Sequence, residues 1–548
     1  MDNKQVNFTE EEKTILRTFG WIIILVFFNL FIKLFISGDD WYTPHLVNWI
    51  TIFTGVAVCY STYTKIRRTR YANETGGRNF EDDRKKYHRT AEEMSEFFLT
   101  SDLHELNVET FPVRSWKNTE GIILGDANGH LISLPSNTEA NLFAAGTPGS
   151  GKTTGLVIPS CLRFGGSVLA VDIKGDIFNT CRETRKILRF CPDLKDKNGN
   201  SLALKESAHF NPFSGINEMD QTERKLFLTN LASTLIPEQP GSDASYFVST
   251  ARKMLVGITT YLLTVKPDVS FPEVLHAILH HQAPDGITLE HFPSNIFQWV
   301  EMIAESSITS AVEQVSSLLG NNEKNVSGAY DTLCSALIPF SNDILDVLLT
   351  GPDNCISVST LENGNDVYLQ ISQENLDAYS PLMTMILQTF MTGFSKRPDT
   401  SSGVKNRPFL VLLDEFPQLT FSYGMINNAL STLRSKSIQC MLIAQTVSQL
   451  SRKYPQEGWR VLLGNCTYQM VLKSNDILTQ QYFSNLFGTH KDLKISTSGE
   501  MLELHSPRTV SEERIPIFQP EDFGDLGDNL VIYYNGKYIV AKKIKSYQ

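Results

Sequence analysis

The sequence lacks several features that would place it in well-known protein classes. Its eight cysteines are scattered, with no C-x-x-C pair and no paired-cysteine zinc spacing, so we interpret them as reduced residues of a cytoplasmic protein. It has no long low-complexity tract and no repeat at solenoid periods, and 41% of its residues are hydrophobic. The 548 residues therefore predict two or more compact folded units rather than a disordered chain or a repeat array.

The chain also lacks an excess of positive charge. Its formal net charge of -11 opposes an extended phosphate-binding surface, because contacts with nucleic acid rely on clustered Lys and Arg. A basic pore of limited extent is still compatible with this balance.

Two long apolar runs near the start predict a membrane anchor. Residues 19–36 and 46–63 are each about as long as a helix needs to cross the hydrocarbon core. A cleaved signal peptide or a buried core hairpin is less favoured, because no A-x-A-like site follows the first run and the second run comes at once. The link between the runs is acidic, whereas four cations follow the second run, namely Lys65, Arg67, Arg68 and Arg70. Because cytoplasmic flanks carry the excess of Lys and Arg, both chain ends are predicted to lie in the cytoplasm.

A phosphate-binding loop is predicted within residues 141–160, which have the pattern of a strand, a loop and a helix. The loop matches G-x-x-x-x-G-K-[ST] at every fixed position. Its amides would turn towards phosphates, Lys152 would reach the β and γ oxygens, and Thr153 would offer its hydroxyl to Mg²⁺. The predicted nucleotide-binding residues are Gly146, Thr147, Pro148, Gly149, Ser150, Gly151, Lys152, Thr153 and Thr154.

Two further apolar runs end in polar side chains suited to the same site. RPFLVLLDEFPQL ends its apolar part at Asp414-Glu415, as expected of a buried parallel strand. Asp414 would complete the magnesium shell and Glu415 would polarise the attacking water. Gln445 follows the next run and could sense the γ-phosphate. The alternatives are an ordinary strand end for the acidic pair and a polar helix cap for Gln445.

Beyond Asn141 short apolar strands alternate with helical stretches, which predicts an α/β fold with a mostly parallel sheet covered on both faces. The strand segments are SVLAVD, DVYLQIS, FLVLLDE, QCMLIAQ and YQMVLKS, and PLMTMILQTFMTGF and MINNALSTLRS are typical helices. A helical stretch interrupts the alternation and predicts an inserted all-α domain. Its His276, His280 and His281 have metal-like spacing, but without further ligands a packed or solvated helix face is the better interpretation.

The predicted organisation has six parts. They are a cytoplasmic N-terminal segment (1–18), a transmembrane helical hairpin (19–63), a cytoplasmic connector (64–110), the first part of the nucleotide-binding domain (111–216), the all-α domain (217–350) and the second part of the nucleotide-binding domain (351–548).

The ordered set of motifs resembles the type IV secretion coupling proteins, the TraG/TraD-like membrane ATPases of conjugation. After the two-helix anchor, the set comprises GTPGSGKTTG, VDIKGD, NPF, YFVSTARKML, LDEFPQL, a helix with Arg434, AQTVSQL and GNCTYQMVLKSNDILTQQYFSNLFG. Ile173 and Asp176 stand where the family usually has Pro and Glu, and its aromatic-led helix commonly carries Trp. These departures leave open whether Asp172 and Lys174 touch nucleotide or only pack beside the loop.

The resemblance implies a RecA-like P-loop domain that uses ATP and Mg²⁺ in a homo-hexameric ring at the inner membrane, with most of the chain cytoplasmic. In such a ring Arg434 could reach a neighbour's site as an arginine finger, although a surface salt bridge would explain it equally. The implied partners are channel components of the inner membrane, the lipid bilayer, and a relaxase–DNA complex or effector proteins as cargo, with single-stranded DNA as a further candidate.

Two other functions fit the same residues. One is a nucleotide-gated substrate receptor that leaves the motor role to another ATPase. The other is a chromosome-type DNA translocase, which usually ends in a winged helix, whereas LVIYYNGKYIVAKKIKSYQ closes this chain as a strand-like segment. An ABC transporter is disfavoured because the sequence has no LSGGQ-like helix cap.

Overall fold

A computed structural model of the protein describes residues 54–55, 60, 108–112, 119–127, 129–237, 242–287, 292–351, 354–497 and 508–544. The predicted membrane hairpin lies outside these ranges except for Thr54, Gly55 and Tyr60, so it stays a prediction, as does the connector that follows it. None of the helices within the described ranges is both long and apolar enough to cross a membrane.

A large mixed sheet of twelve strands organises the fold. In chain order the strands are β1 Glu109–Pro112, β2 Ile122–Ala127, β3 His130–Leu134, β4 Leu142–Ala145, β5 Ser167–Val171, β6 Ile187–Phe190, β7 Asp366–Leu369, β8 Phe409–Leu413, β9 Ile438–Ala444, β10 Tyr468–Val471, β11 Thr489–Thr497, β12 Arg508–Pro516, β13 Asn529–Tyr534 and β14 Lys537–Lys542. β11 and β12 pair only with each other, as a two-stranded sheet in a separate compact unit.

The centre of the large sheet is parallel, in the order β10-β4-β9-β8-β5-β7-β6. All five segments predicted as strands form part of it, which confirms the predicted α/β class with a mostly parallel sheet. These strands are continuous apolar runs because both of their faces are buried. Each places its carboxyl end at the same edge of the sheet.

An antiparallel extension continues the sheet beyond β10, in the order β13, β14, β2, β3 and β1. The prediction of a strand-like close at the chain end holds for β13 and β14. β2 and β3 were not predicted. They bring the region just before the phosphate-binding loop and the last strand of the chain side by side.

Sixteen α-helices occur in the described residues from Gly129 onward. They are α1 Ile158–Arg163, α2 Asp176–Cys181, α3 Ala203–Glu206, α4 Gln221–Leu235, α5 Ser242–Val265, α6 Phe271–Leu279, α7 Ile296–Glu305, α8 Thr309–Val315, α9 Glu323–Leu337, α10 Asp343–Leu348, α11 Val358–Glu362, α12 Leu376–Ser395, α13 Tyr423–Thr432, α14 Val447–Lys453, α15 Gly458–Gly464 and α16 Ile477–Phe487.

The stretch from α4 to α10 is helical in every element that the structure describes there. Its 24-residue helix α5 packs against α4, α8 and α9 and so forms the centre of this part. The boundaries of α4 and α6 follow from their sequences. Each of these helices begins with a capping box, formed by Asp220 and Glu223 in α4 and by Ser270 and Glu273 in α6. In a capping box the side chain of each residue accepts a hydrogen bond from the backbone amide of the other.

Two cores cover the two faces of the sheet, because alternate residues of a strand point to opposite sides. Leu169 and Val171 pack into one core, which continues into the helical part, whereas Val168 and Ala170 pack with α1 in the other. The central parallel strands are therefore covered on both faces, and the loops at their ends lie at the edges of this covered sheet.

The three histidines of the helical part do not share one helix face. α6 ends at Leu279, His280 caps it, and His281 has a left-handed backbone with φ 55°. The Nε2 atom of His276 lies 3.1 Å from Asp346 Oδ2, and Nε2 of His280 lies 3.2 Å from Ser341 Oγ. Among the described residues no group of three or more His, Cys, Asp or Glu side chains could hold a metal ion.

Candidate functional site

The predicted site residues follow strands that end at one edge of the sheet. The phosphate-binding loop follows β4, which lies between β9 and β10. Asp172 follows β5, Asp414 and Glu415 follow β8, and Gln445 follows β9. Because all these strands are parallel, their carboxyl ends lie at the same edge of the sheet. Ligands of such sheets bind outside the carboxyl ends, at the point where the strand order reverses.

The loop itself owes its shape to its proline and glycines. The amide of Ser150 donates to the carbonyl of Thr147 at 3.0 Å, which closes a turn with Pro148 second and Gly149 third. Gly149 has φ 75° and Gly151 has φ 85°, a left-handed backbone that glycine adopts without strain. The helix then begins with a π-helical turn, Thr153–Val157, which leads into α1.

Hydrogen bonds to both neighbouring strands fix the base of the loop. The amide of Gly146 donates to the carbonyl of Ala444 at the end of β9, at 3.3 Å. Thr147 donates from its amide at 2.9 Å and from its hydroxyl at 3.0 Å to the carbonyl of Lys473, two residues beyond β10. The loop therefore cannot shift without disturbing the strand that carries Gln445.

Lys152 is buried at the centre of the loop, with 6% of its surface exposed. Its ammonium donates to the carbonyls of Gly146 at 2.5 Å and Thr147 at 3.3 Å. Burial lowers the pKa of Lys152, whereas the nearby carboxylates of Glu415 and Asp414 oppose that shift. The three groups are thus close enough to interact electrostatically, and Lys152 is the cation that makes the burial of two acids tolerable.

Asp414 is 5% exposed at the end of β8. Burial raises the pKa of its carboxyl to about 6, and the neighbouring acids Glu415 and Asp172 act in the same direction against the attraction of Lys152. Its Oδ1 accepts a hydrogen bond from the amide of Glu415 at 3.1 Å. Near neutral pH this carboxylate is ionised but poorly compensated, as a ligand for a divalent cation would be.

Glu415 has a backbone that a side chain rarely adopts, with φ 52°. Such left-handed positions cost about 1 kcal/mol or more and cluster at functional sites. The turn directs the carboxylate towards β9, where Oε1 accepts a hydrogen bond from Gln445 Nε2 at 3.0 Å. Thr446, rather than Gln445, is the N-cap residue of α14. The side-chain amide of Gln445 is therefore not used as a helix cap and bonds the acid instead.

Asp172 has a structural task that its sequence position did not reveal. It is buried, and its Oδ2 accepts a hydrogen bond from the amide of Phe178 at 2.8 Å, in the first turn of α2. Burial raises the pKa of Asp172 to about 6 although backbone amides oppose the shift. Lys174 is exposed.

The donor set suits a nucleoside triphosphate with magnesium. The loop offers backbone amides, the Lys152 ammonium and the buried Ser150 hydroxyl, which has no protein partner among the described residues. Thr153 and Asp414 could ligate Mg²⁺, yet no three His, Cys, Asp or Glu side chains cluster around a metal position in the described ranges. Mg²⁺ usually takes one or two protein ligands together with phosphate oxygens and water. The residues at this site therefore suit Mg²⁺ bound together with a nucleoside triphosphate better than Mg²⁺ bound alone.

Arg434 is the one predicted site residue that the fold keeps away from the others. It lies in the 3₁₀ turn Leu433–Lys436, which enters β9 at its amino end. The loop with Lys152 lies at the carboxyl edge, a full strand away, or roughly 20 Å. Arg434 therefore does not reach the nucleotide site of its own chain.

Lys543 is a contact of the loop that sequence reasoning missed. Its ammonium donates to the carbonyl of Ser150 at 2.9 Å, although 393 residues separate them. The sequence shows only that the C-terminal segment around Lys543 is basic. Nothing in that segment indicates that it contacts the P-loop.

Comparison with known proteins identifies the family. A family model described as type IV secretory system conjugative DNA transfer matches residues 98–548, which are 451 of the 548 residues. The chain belongs to this family. The resemblance in the motifs is thereby confirmed.

Relatives within the family are distant. Protein VirD4 of Agrobacterium fabrum is 24% identical over 411 residues, which are 73% of this chain and 57% of that protein. The conjugal transfer protein TraG of Escherichia coli is 23% identical over 430 residues, 74% of this chain and 65% of that protein. The chain thus spans roughly three fifths of the length of the curated relatives it matches.

Solved structures of the conjugative coupling protein TrwB share the fold. The unbound form has a TM-score of 0.58 and 17% identity, and the match covers 80% of this chain and 92% of that one. TrwB in complex with ADP and Mg²⁺ has a TM-score of 0.57 and 16% identity, with 81% and 92% covered.

The environment of Asp414 generates a prediction about stability and pH. Its pKa is raised in the folded chain, so its stabilising contribution is present at low pH and is lost as the pH rises through about 6. Asp414→Asn removes the buried charge. The nucleotide-free variant should match the wild type near pH ~4 and exceed it above pH ~6.5, by up to about 3 kcal/mol.

Thermal unfolding in EDTA at a series of pH values measures this difference. Asp176→Asn is the matched control, since Asp176 is an exposed aspartate near the same edge. A stability gain for Asp414→Asn that stays constant from acid to neutral pH would show that burial does not raise the pKa of Asp414.

Proposed function

We propose that this protein is a membrane-anchored ATPase that couples a substrate to a type IV secretion channel and drives its transfer in a hexameric ring. The substrate would be relaxase-bound DNA, a protein, or both. The observation that carries the proposal is the meeting of Lys152, Asp414, Glu415 and Gln445 at one sheet edge in a chain of the conjugative DNA transfer family. The complexes of TrwB with ADP and Mg²⁺ and with a non-hydrolysable ATP analogue support nucleotide as the ligand.

Each residue at the edge has a task that its geometry allows. The loop amides and Lys152 would hold the phosphates, with the ammonium exchanging its bond to the Gly146 carbonyl for phosphate oxygens. Thr153 and Asp414 would hold the metal. Bound Mg·ATP supplies the phosphoanhydride bond whose hydrolysis releases energy.

Glu415 and Gln445 would act on the attacking water. The carboxylate of Glu415 is fixed by its hydrogen bond with Gln445 and lies close enough to Lys152 and Asp414 to interact with their charges. It can accept a proton from water, while the Gln445 amide keeps the acid in place and can itself orient the water. A phosphate that displaced this amide would change the Glu415 contact, which links nucleotide state to the end of β9.

Substitutions of Lys152 and Glu415 test the nucleotide role. Lys152→Ala should weaken ATP binding by roughly a hundredfold, because a buried phosphate contact is lost. Glu415→Gln should bind ATP with nearly unchanged affinity and lose roughly a hundredfold or more in kcat, as expected of a missing general base. ATP affinity and steady-state hydrolysis measure the two effects.

Glu457→Gln provides the control, since Glu457 is an exposed acid paired with Arg460 on the surface. Hydrolysis by Glu415→Gln at the wild-type rate would refute the assigned role. If the same variant failed to hydrolyse ATP but still supported normal transfer, the protein would be a nucleotide-gated receptor instead of a motor.

A DNA cargo predicts stimulation of hydrolysis by single-stranded DNA. The chain is acidic overall, so the binding residues must be locally concentrated and their contacts screened by salt. ATPase activity should rise several-fold with single-stranded DNA at about 50 mM salt and lose most of that rise at about 200 mM. No stimulation by DNA, together with stimulation by a substrate protein, would instead indicate protein export.

The position of Arg434 predicts complementation between subunits. In a ring, Lys152→Ala and Arg434→Ala chains would each be inactive alone. Mixed rings would contain some sites with an intact Lys152 from one chain and an intact Arg434 from the next. Random mixing should restore roughly a quarter of the sites. Steady-state hydrolysis by co-assembled variants measures it, and no recovery above the separate variants would rule out a role in trans.

A further inference from the structure

The segment that follows the last strand lies directly on the phosphate-binding loop. Lys543 comes immediately after β14 and is largely buried, with 11% of its side chain exposed. Its ammonium donates to Ser150 at 2.9 Å and to the carbonyl of Gly527 at 2.7 Å. It also lies 3.6 Å from Asp528, a mostly exposed acid. The lysine therefore ties the loop to two segments of the antiparallel extension.

The bond to Ser150 bears on the chemistry of the loop. In a trans peptide the carbonyl and the following amide point in opposite directions. A cation that holds the Ser150 carbonyl therefore fixes the amide of Gly151 pointing away from Lys543, and this amide could then donate to a phosphate oxygen. Gly151 can accept this orientation because its φ is 85°.

The glycine pattern supports the same contact independently. A Cβ atom on Gly155 would lie 3.1 Å from Lys543 Cβ and 3.1 Å from the carbonyl oxygen of Ile544, and one on Gly151 would lie 3.3 Å from Lys543 Cδ. Gly155 is not a fixed position of the P-loop pattern, and its backbone conformation is not one that requires glycine. Its lack of a side chain is explained by the segment that crosses it.

We infer that Lys543 is a positioning residue of the nucleotide site, which holds the Ser150–Gly151 peptide in the orientation that binds phosphate. The ammonium also adds a second positive charge beside the loop. A triphosphate would gain from both effects. The anchoring of Lys543 through Gly527 and β14 makes the antiparallel extension part of the site, although none of its strands carries a predicted site residue.

This inference rests on the proposed function, and its test separates the two. Binding of a fluorescent, slowly hydrolysed ATP analogue is measured on the full-length protein in detergent, together with the melting temperature without nucleotide. Lys543→Met should weaken binding about tenfold, since one charge-assisted contact to the loop is lost. Lys543→Arg should recover part of the affinity, because a guanidinium can donate to the same carbonyl.

Gly155→Ala offers a second route to the same result. Alanine favours a helix more than glycine does, which offsets part of the cost of displacing the neighbouring segment, so the melting temperature of the nucleotide-free protein should change little. Its methyl group would nevertheless push Lys543 and Ile544 off the loop, and binding should weaken several-fold. Weaker binding without lower stability is a result that a purely structural role for Lys543 would not give.

Lys537→Met is the control, an exposed lysine at the other end of β14. Wild-type affinity in Lys543→Met and Gly155→Ala, with affinity lost in Lys152→Ala, would overturn the inference and leave the proposed function intact. Wild-type affinity in Lys152→Ala would overturn the proposed function, and the inference with it.

Discussion

The interaction on which the site depends is the electrostatic attraction between one buried cation, Lys152, and the acids buried near it at the carboxyl edge of the sheet. Lys152 and Asp414 are both nearly inaccessible to water, and Glu415 and Asp172 lie close to them. Burying any one of these charges alone would cost several kcal/mol. Together they are tolerable, but the raised pKa of Asp414 shows that compensation is incomplete. The excess of buried negative charge lowers the stability of the nucleotide-free fold. The positive charge of a bound metal ion, which would come with a triphosphate, would compensate for that excess.

The fold holds this arrangement from two directions. On one side, Gly146 and Thr147 are tied to the ends of β9 and β10, so the loop is fixed to strands of the parallel sheet. On the other, Lys543 joins the loop to the antiparallel extension. The loop is thus bonded to both parts of a single sheet. A movement of β9 would displace Gln445 and Gly146 together, so a change of bound nucleotide could shift β9 and the elements packed against it.

Sequence reasoning found the parts of the fold whose signals are local. Parallel strands are buried on both faces, so β5 and β8 appear as continuous apolar runs, and the P-loop pattern spans eight adjacent residues. The meeting of Glu415 with Gln445 could be predicted because parallel strands share an edge. The bond from Lys543 to Ser150 joins residues distant in the chain, which no spacing reveals. By contrast, the β2–β3 hairpin with its Asn128-Gly129 link and the bond from the Phe178 amide to Asp172 are local features that the sequence itself could have indicated. The interpretation of the histidines as a helix face fits His276 in α6 and the C-cap His280, whose ring centroids lie 5.5 Å apart, but not His281, which lies beyond the helix end.

The separation of Arg434 from Lys152 bears on why such a site would belong to a ring. Within one chain Lys152 lies in the loop, and the ammonium of Lys543 lies close to oxygen atoms of Ser150, Gly527 and Asp528. Hydrolysis spreads negative charge over the transferred phosphoryl group, so a further cation facing it would accelerate the reaction. The fold places Arg434 at the opposite edge of the sheet, out of reach of the loop of its own chain. If a neighbouring chain supplied this cation, the site would hydrolyse ATP only in the assembled ring. Hydrolysis would then depend on the state of the next subunit.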